Sequence, residues 1–133
     1  YNFTLHKPYI DKAKTIFKLA GKMMSRSHNA FSQMFIALDF YLDTSKEVVV
    51  VGPKQSNEKD AVIGMLRTEF LPNKTVGYIS PEFKSSFPVF ENKVTAEGRT
   101  IVYVCENNVC KFPTEDLNKA RQLVKENKEY SLN

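Results

Sequence analysis

Cys105 and Cys110 are the residues best suited to chemistry, in the run Tyr103-Val104-Cys105-Glu106-Asn107-Asn108-Val109-Cys110. With Asn107 and Asn108 as the two central residues of a hairpin turn, the chain gains the positive φ that such a turn requires. Glu106 then faces Val109, and Cys105 faces Cys110 at a non-hydrogen-bonded position. Opposing Cα atoms lie roughly 4.5–5.5 Å apart there, within reach of a disulfide. Three readings stay open: an inert reduced pair beneath the last helix, a reversible cross-strand disulfide, or two ligands of a metal. The metal reading lacks its other ligands, because His6 and His28 fall in the helical part and neither sits near a cysteine. No metal is expected. The pair is also not Cys-x-x-Cys at a helix N-terminus, and no neighbour in sequence obviously activates either thiol.

Gly52-Pro53-Lys54 is the second candidate, a loop between a strand and a helix, where phosphates often bind. It lacks the Gly-x-Gly-x-x-Gly and Gly-Lys-Ser/Thr patterns, and Pro53 removes an amide donor. An ordinary connection is the simpler reading. A small-ligand site between Gly52 and the segment 81–98 is the alternative. Glu47, Glu69, Asp39 and Asp43 are scattered and form no recognisable acid/base pair. Nothing resembles a Ser-His-Asp arrangement. No catalytic residue and no cofactor are expected.

These residues need elements to hold them. Residues 8–25 predict an amphipathic helix: Pro8 suits its first turn, and Tyr9, Ile10, Ala13, Ile16, Phe17, Ala20, Met23 and Met24 follow helical spacing. A second helix, from Ala30 to Leu42, is apolar on nearly every side and calls for cover on more than one face. The short link between the two makes an antiparallel hairpin. Glu47-Val48-Val49-Val50-Val51 predicts a strand buried on both faces. A helix capped by Ser56 or Asn57 follows, with Ala61, Val62, Met65, Leu66 and Phe70 inward. A second strand over 75–80 completes a βαβ unit. The apolar loop 81–98 either packs down or covers a site. A hairpin of 100–105 and 109–112 leads to a last helix capped by Thr114, and the tail after Asn127 frays. The fold class is α/β: a helical hairpin (1–43), then a small β-α-β / β-β-α domain (46–133) with a thioredoxin-like or Rossmann-like sheet.

The totals fit this plan. With 133 residues, 42% of them hydrophobic, the chain can bury a core without disulfides. The net charge of +4 is confined to residues 1–46, which hold seven basic and three acidic residues. Those lysines alternate with core positions of one helix and predict a solvated face, not a nucleic-acid or membrane surface. No apolar run is long enough to span a membrane. The start lacks the pattern of a signal peptide, and a cytoplasmic location is expected. The missing initiator Met fits a fragment of a larger protein, or a processed one.

Three stretches in order carry a family resemblance. They are Ala37-Leu38-Asp39-Phe40-Tyr41-Leu42 leading to Glu47-Val48-Val49-Val50-Val51-Gly52, then Phe70-Leu71-Pro72-Asn73-Lys74, then the cysteine hairpin with Pro113 after it. Together they resemble the C-terminal end of the YyaL-like family of thioredoxin-domain-containing proteins, related to the animal spermatogenesis-associated protein 20. The resemblance implies a three-part parent: an N-terminal thioredoxin-like domain, a central α/α toroid and a small α/β end-piece. Residues 1–43 would be the last hairpin of the toroid, and the cysteine pair matches a recurring family pattern. The expected function is a non-catalytic structural module, the alternative a thiol-redox module using Cys105 and Cys110. The expected partner is the upstream part of the same protein, with a homodimer through exposed apolar helix surface as the other possibility.

Overall fold

The computed structural model describes residues 1–126 apart from Glu97 and Asn108. Helix α1 (Lys7–Arg26) has a proline in its first turn and no side-chain cap. A 3₁₀ turn, His28–Phe31, joins it to α2 (Ser32–Leu42). The chain then enters β1 (Lys46–Val51), where all six residues are buried. β-Branched side chains fit such a pleated, doubly covered position. Helix α3 (Asn57–Thr68) returns it to β2 (Lys74–Ile79), parallel to β1. β3 (Ile101–Glu106) runs antiparallel on the other side of β1, and β4 (Val109–Cys110) pairs with β3. Helix α4 (Leu117–Lys125) closes the described chain.

The sheet order is therefore β2-β1-β3-β4, and the fold is α/β as expected. The antiparallel pairings of β3 make the sheet mixed, which departs from an all-parallel doubly wound sheet.

Side chains alternate between two faces along each strand. On one face Val48, Val50, Val102 and Val104 pack with Val62, Met65 and Leu66 of α3 and with Ala120 and Val124 of α4. On the other, Val49, Val51 and Ile79 pack with Val89, Phe3, Phe90 and Tyr103. The cover on this second face comes from the N-terminal segment and a 3₁₀ turn, Pro88–Phe90, so the loop after β2 packs down. Gly77 permits that closeness: a Cβ there would lie 2.9 Å from the Phe90 ring.

Several expectations move. α3 stops at Thr68, so Phe70 lies past its end and is 90% exposed, and Ala61 also faces solvent. Ser56 is the α3 cap, accepting from the Lys59 amide. The α4 cap is Asp116, not Thr114: its Oδ1 accepts from the Asn118 and Lys119 amides at 2.7 and 2.9 Å. Thr114 instead exchanges backbone hydrogen bonds with Val102, which delays the helix by two residues. α2 has no buried residue, against the cover its all-round apolarity calls for. The predicted fraying after Asn127 lies outside the described residues.

At the far end of α3, Glu69 takes an ion pair from Arg121 at 3.0 Å and from Lys125 at 2.6 Å on α4. Its bond with Lys125 holds the carboxyl below its ordinary value of 4.5. A carboxylate depressed in the folded chain stabilises it above the unfolded value, and that contribution disappears as pH falls through the folded value. Stability is thus expected to drop on acidification below about pH 4.5, with a shallower drop in Glu69→Gln, as followed by urea unfolding at a series of pH values. In the same assay Leu66→Ala is expected to cost roughly 2–5 kcal/mol, whereas Phe70→Ala should stay within about 0.5 kcal/mol.

Candidate functional site

The hairpin register brings Cys105 opposite Cys110 and Glu106 opposite Val109. The Lys111 amide donates to the Val104 carbonyl at 3.0 Å, so the cysteine pair occupies the non-hydrogen-bonded position between two bonded ones. Asn107 has φ of 51°, as the turn requires, while Asn108 lies outside the described residues. The two cysteines form a disulfide, with Cα atoms 3.8 Å apart, closer than the spacing expected for open pairing.

The place of the pair differs from the expected one. Val102 and Val104 face α4, so Cys105 faces the opposite side of the sheet, away from that helix. Cys105 is 2% exposed and Cys110 is exposed to solvent. The cross-strand neighbour of Cys105 on β1 is Glu47. A carboxylate there opposes a thiolate, whereas activated cysteines sit beside cations or helix N-termini. Among the described residues no cluster of three or more His, Cys, Asp or Glu side chains could hold a metal. His28 stacks on Phe35 and His6 meets Tyr9 edge-on.

In the loop after β1, the Gly52 amide donates to the Ile79 carbonyl at 3.2 Å, and its own carbonyl accepts from the Tyr78 hydroxyl at 3.0 Å. Lys54 Nζ lies 3.4 Å from Glu82, and its carbonyl accepts from Lys59 Nζ. Glu58 and Asp60 already place negative charge on the first turn of α3. The groups of Gly52 and Lys54 thus have partners within the chain, and Pro53 has no amide proton to offer.

A cleft of about 720 Å³ opens at the other end of β1, between the helical hairpin, the N-terminal segment and the sheet. Ser45, Glu47 and Thr75 form its polar floor, and Phe17, Phe40 and Tyr41 contribute apolar wall. Asn2 bridges the floor, its Nδ2 lying 3.0 Å from Ser45 Oγ and 3.3 Å from Thr75 Oγ1. Asp43 is held at the end of α2 by Asn73 Nδ2 at 2.8 Å and by the Thr44 amide at 2.7 Å. Lys93 lies within the field of Glu47, and burial of that lysine lowers its pKa. Sequence reading missed this site because its residues come from five separate stretches. The one local signal was a charged residue, Glu47, opening a strand with no solvated face.

Replacing both cysteines by serine, or reducing the pair, removes a short covalent loop. The expected loss is roughly 2 kcal/mol of unfolding free energy, read from urea denaturation with and without reductant, while the β1–β3 pairing persists in amide exchange.

No family model matches the chain, and no solved structure matches it. Spermatogenesis-associated protein 20 of Homo sapiens is 27% identical over 128 residues, which is 93% of this chain and 16% of that protein. The same protein of Rattus norvegicus gives the same identity and coverage. An uncharacterized protein of Caenorhabditis elegans is 27% identical over 124 residues, 92% of this chain and 17% of its own length. The chain thus spans about a sixth of these relatives, over nearly all of its own length. These matches make the chain similar, over nearly all of its length, to one part of spermatogenesis-associated protein 20.

Proposed function

We propose that this chain is a non-catalytic structural module of a longer, thioredoxin-domain-containing protein, held to the rest of that protein through the outer face of its helical hairpin. The observation that carries this reading is the apolar stripe on that face. Ile16, Leu19 and Met23 follow one another at i, i+3 and i+7 along α1, and Leu19 is 75% exposed. Ile36 on α2 is 61% exposed, and Leu42 at its end is also exposed. Exposed apolar area arranged in a stripe marks an interaction surface more than single exposed side chains do. Burying one such side chain contributes roughly 1.5–3 kcal/mol. The small share of each relative that the chain spans supports the same reading, since the parent has ample chain to supply the cover. By the family resemblance, that cover is the helical toroid.

The rival reading is a thiol-redox module. Its support is the formed disulfide, with Cys110 exposed to a reductant. Redox state and compartment go together here. A reducing cytosol, the location expected from the sequence, favours the thiols, and an oxidising compartment favours the bonded pair. No helix of the described chain is long and apolar enough to cross a membrane.

Leu19→Asp separates the two readings. In the isolated chain it should change unfolding free energy by no more than about 0.5 kcal/mol. In the full-length parent it should cost roughly 2 kcal/mol or more, because a carboxylate replaces a buried leucine. A parent that tolerates the change as well as the isolated chain contradicts the interface. If the isolated chain sediments as a dimer and the variant as a monomer, the face joins two copies instead.

A further inference from the structure

We propose, on the reading that the hairpin packs against its parent protein, that α1 is covered by an acidic amphipathic helix of that parent. The apolar edge of that helix lies on the exposed stripe, and its carboxylates meet Lys12, Lys22 and Arg26. The stripe belongs to a longer series. Tyr9, Lys12, Ile16, Leu19, Met23 and Arg26 alternate steps of three and four residues, the spacing of the a and d positions in a seam between two helices. The four apolar members are each more than half exposed. Lys12 and Arg26 bracket Ile16, Leu19 and Met23. With Met23 at an a position, Lys22 is a g position, where charge selects the partner.

The charge of α1 calls for the same cover. The helix holds six basic residues and one acid, and all six are exposed. Among the described residues none of the six pairs with a carboxylate. Lys14, Lys18, Lys22 and Arg26 follow at four-residue steps, so like charges stack on successive turns, which is destabilising. Carboxylates laid along the seam relieve that repulsion. A second copy of the chain does not. Two α1 helices run antiparallel about Leu19 set Lys12 against Arg26, and run parallel they set each cation against its copy. A lipid surface fits less well, because the stripe is a narrow seam with cations inside it and not a broad apolar face. The chain matches 16% of its human relative, which leaves a parent of that size length to supply the helix.

The test is amide exchange on the full-length parent and on the isolated chain, each carrying Lys12→Glu, Lys22→Glu and Arg26→Glu together. Like charge across the seam should speed exchange of α1 in the parent about tenfold, with little change in the isolated chain and none at β1. Added salt should also speed it in the unaltered parent, and Lys12→Gln, Lys22→Gln and Arg26→Gln together should remove most of that sensitivity. If Leu19→Asp exposes α1 in the parent and the charge reversal does not, the cover carries no carboxylates. The structural-module reading then stands and the acidic helix is overturned. If neither change alters exchange in the parent, both fall. Equal acceleration in the isolated chain would overturn the acidic helix too, since the charges would then act within the chain. So would parent binding to vesicles of phosphatidylcholine and phosphatidylserine that the reversal abolishes, or an isolated-chain dimer that Leu19→Asp separates.

Discussion

Val48, Val49, Val50 and Val51 are almost completely removed from water on both faces of the sheet. A strand so placed has to be covered twice, and the other elements take their positions from that demand. On one face α3 and α4 answer with regular helix, stitched to each other by Glu69, Arg121 and Lys125. On the other face the cover is irregular, built from Phe3, Val89 and Phe90. Irregular backbone can do this because its polar groups find partners outside the sheet: the Val89 amide, for example, donates to the Phe3 carbonyl.

The same strand carries polar residues where it enters the sheet. Lys46 and Glu47 are buried at its first two positions. Lys46 turns to the α4 side, where Glu106 and the Glu126 carbonyl accept from its ammonium group. Glu47 points the other way, toward the cleft and the cysteine hairpin. Charges this buried are costly unless paired: Glu106 matches Lys46, and Lys93 lies within the field of Glu47. The disulfide sits one strand away and holds the register that puts Asn107 at the cleft rim.

Strong local signals were readable from sequence alone. The β-branched run marked β1, the polar break before Ala30 marked the helical hairpin, and the two asparagines marked the turn that aligns Cys105 with Cys110. Misreadings arose where tertiary pairing overrode a local cue. Thr114 reads as a cap, yet its backbone is taken by Val102, and the helix waits for Asp116. Phe70 keeps helical spacing with Leu66, yet α3 ends before it. Which face the cysteines share depends on the pairing of β3 with β1, a long-range contact that no local pattern encodes. The cleft is hidden for the same reason, since Asn2, Phe17, Tyr41, Glu47 and Thr75 meet only in the folded chain.

The helical hairpin is the element whose packing accounts for least of its sequence. Its inner positions, such as Ala20 and Met24, are buried, while the outer stripe of α1 and much of α2 are left to solvent. That imbalance is the basis for reading the chain as part of a larger assembly within one protein. Amide hydrogen exchange tests it most directly, comparing α1 and α2 in the isolated chain with the same helices in the full-length parent. The account predicts that protection of both helices rises markedly in the parent while that of β1 stays as it is. Equal protection of the hairpin in the two contexts would contradict it.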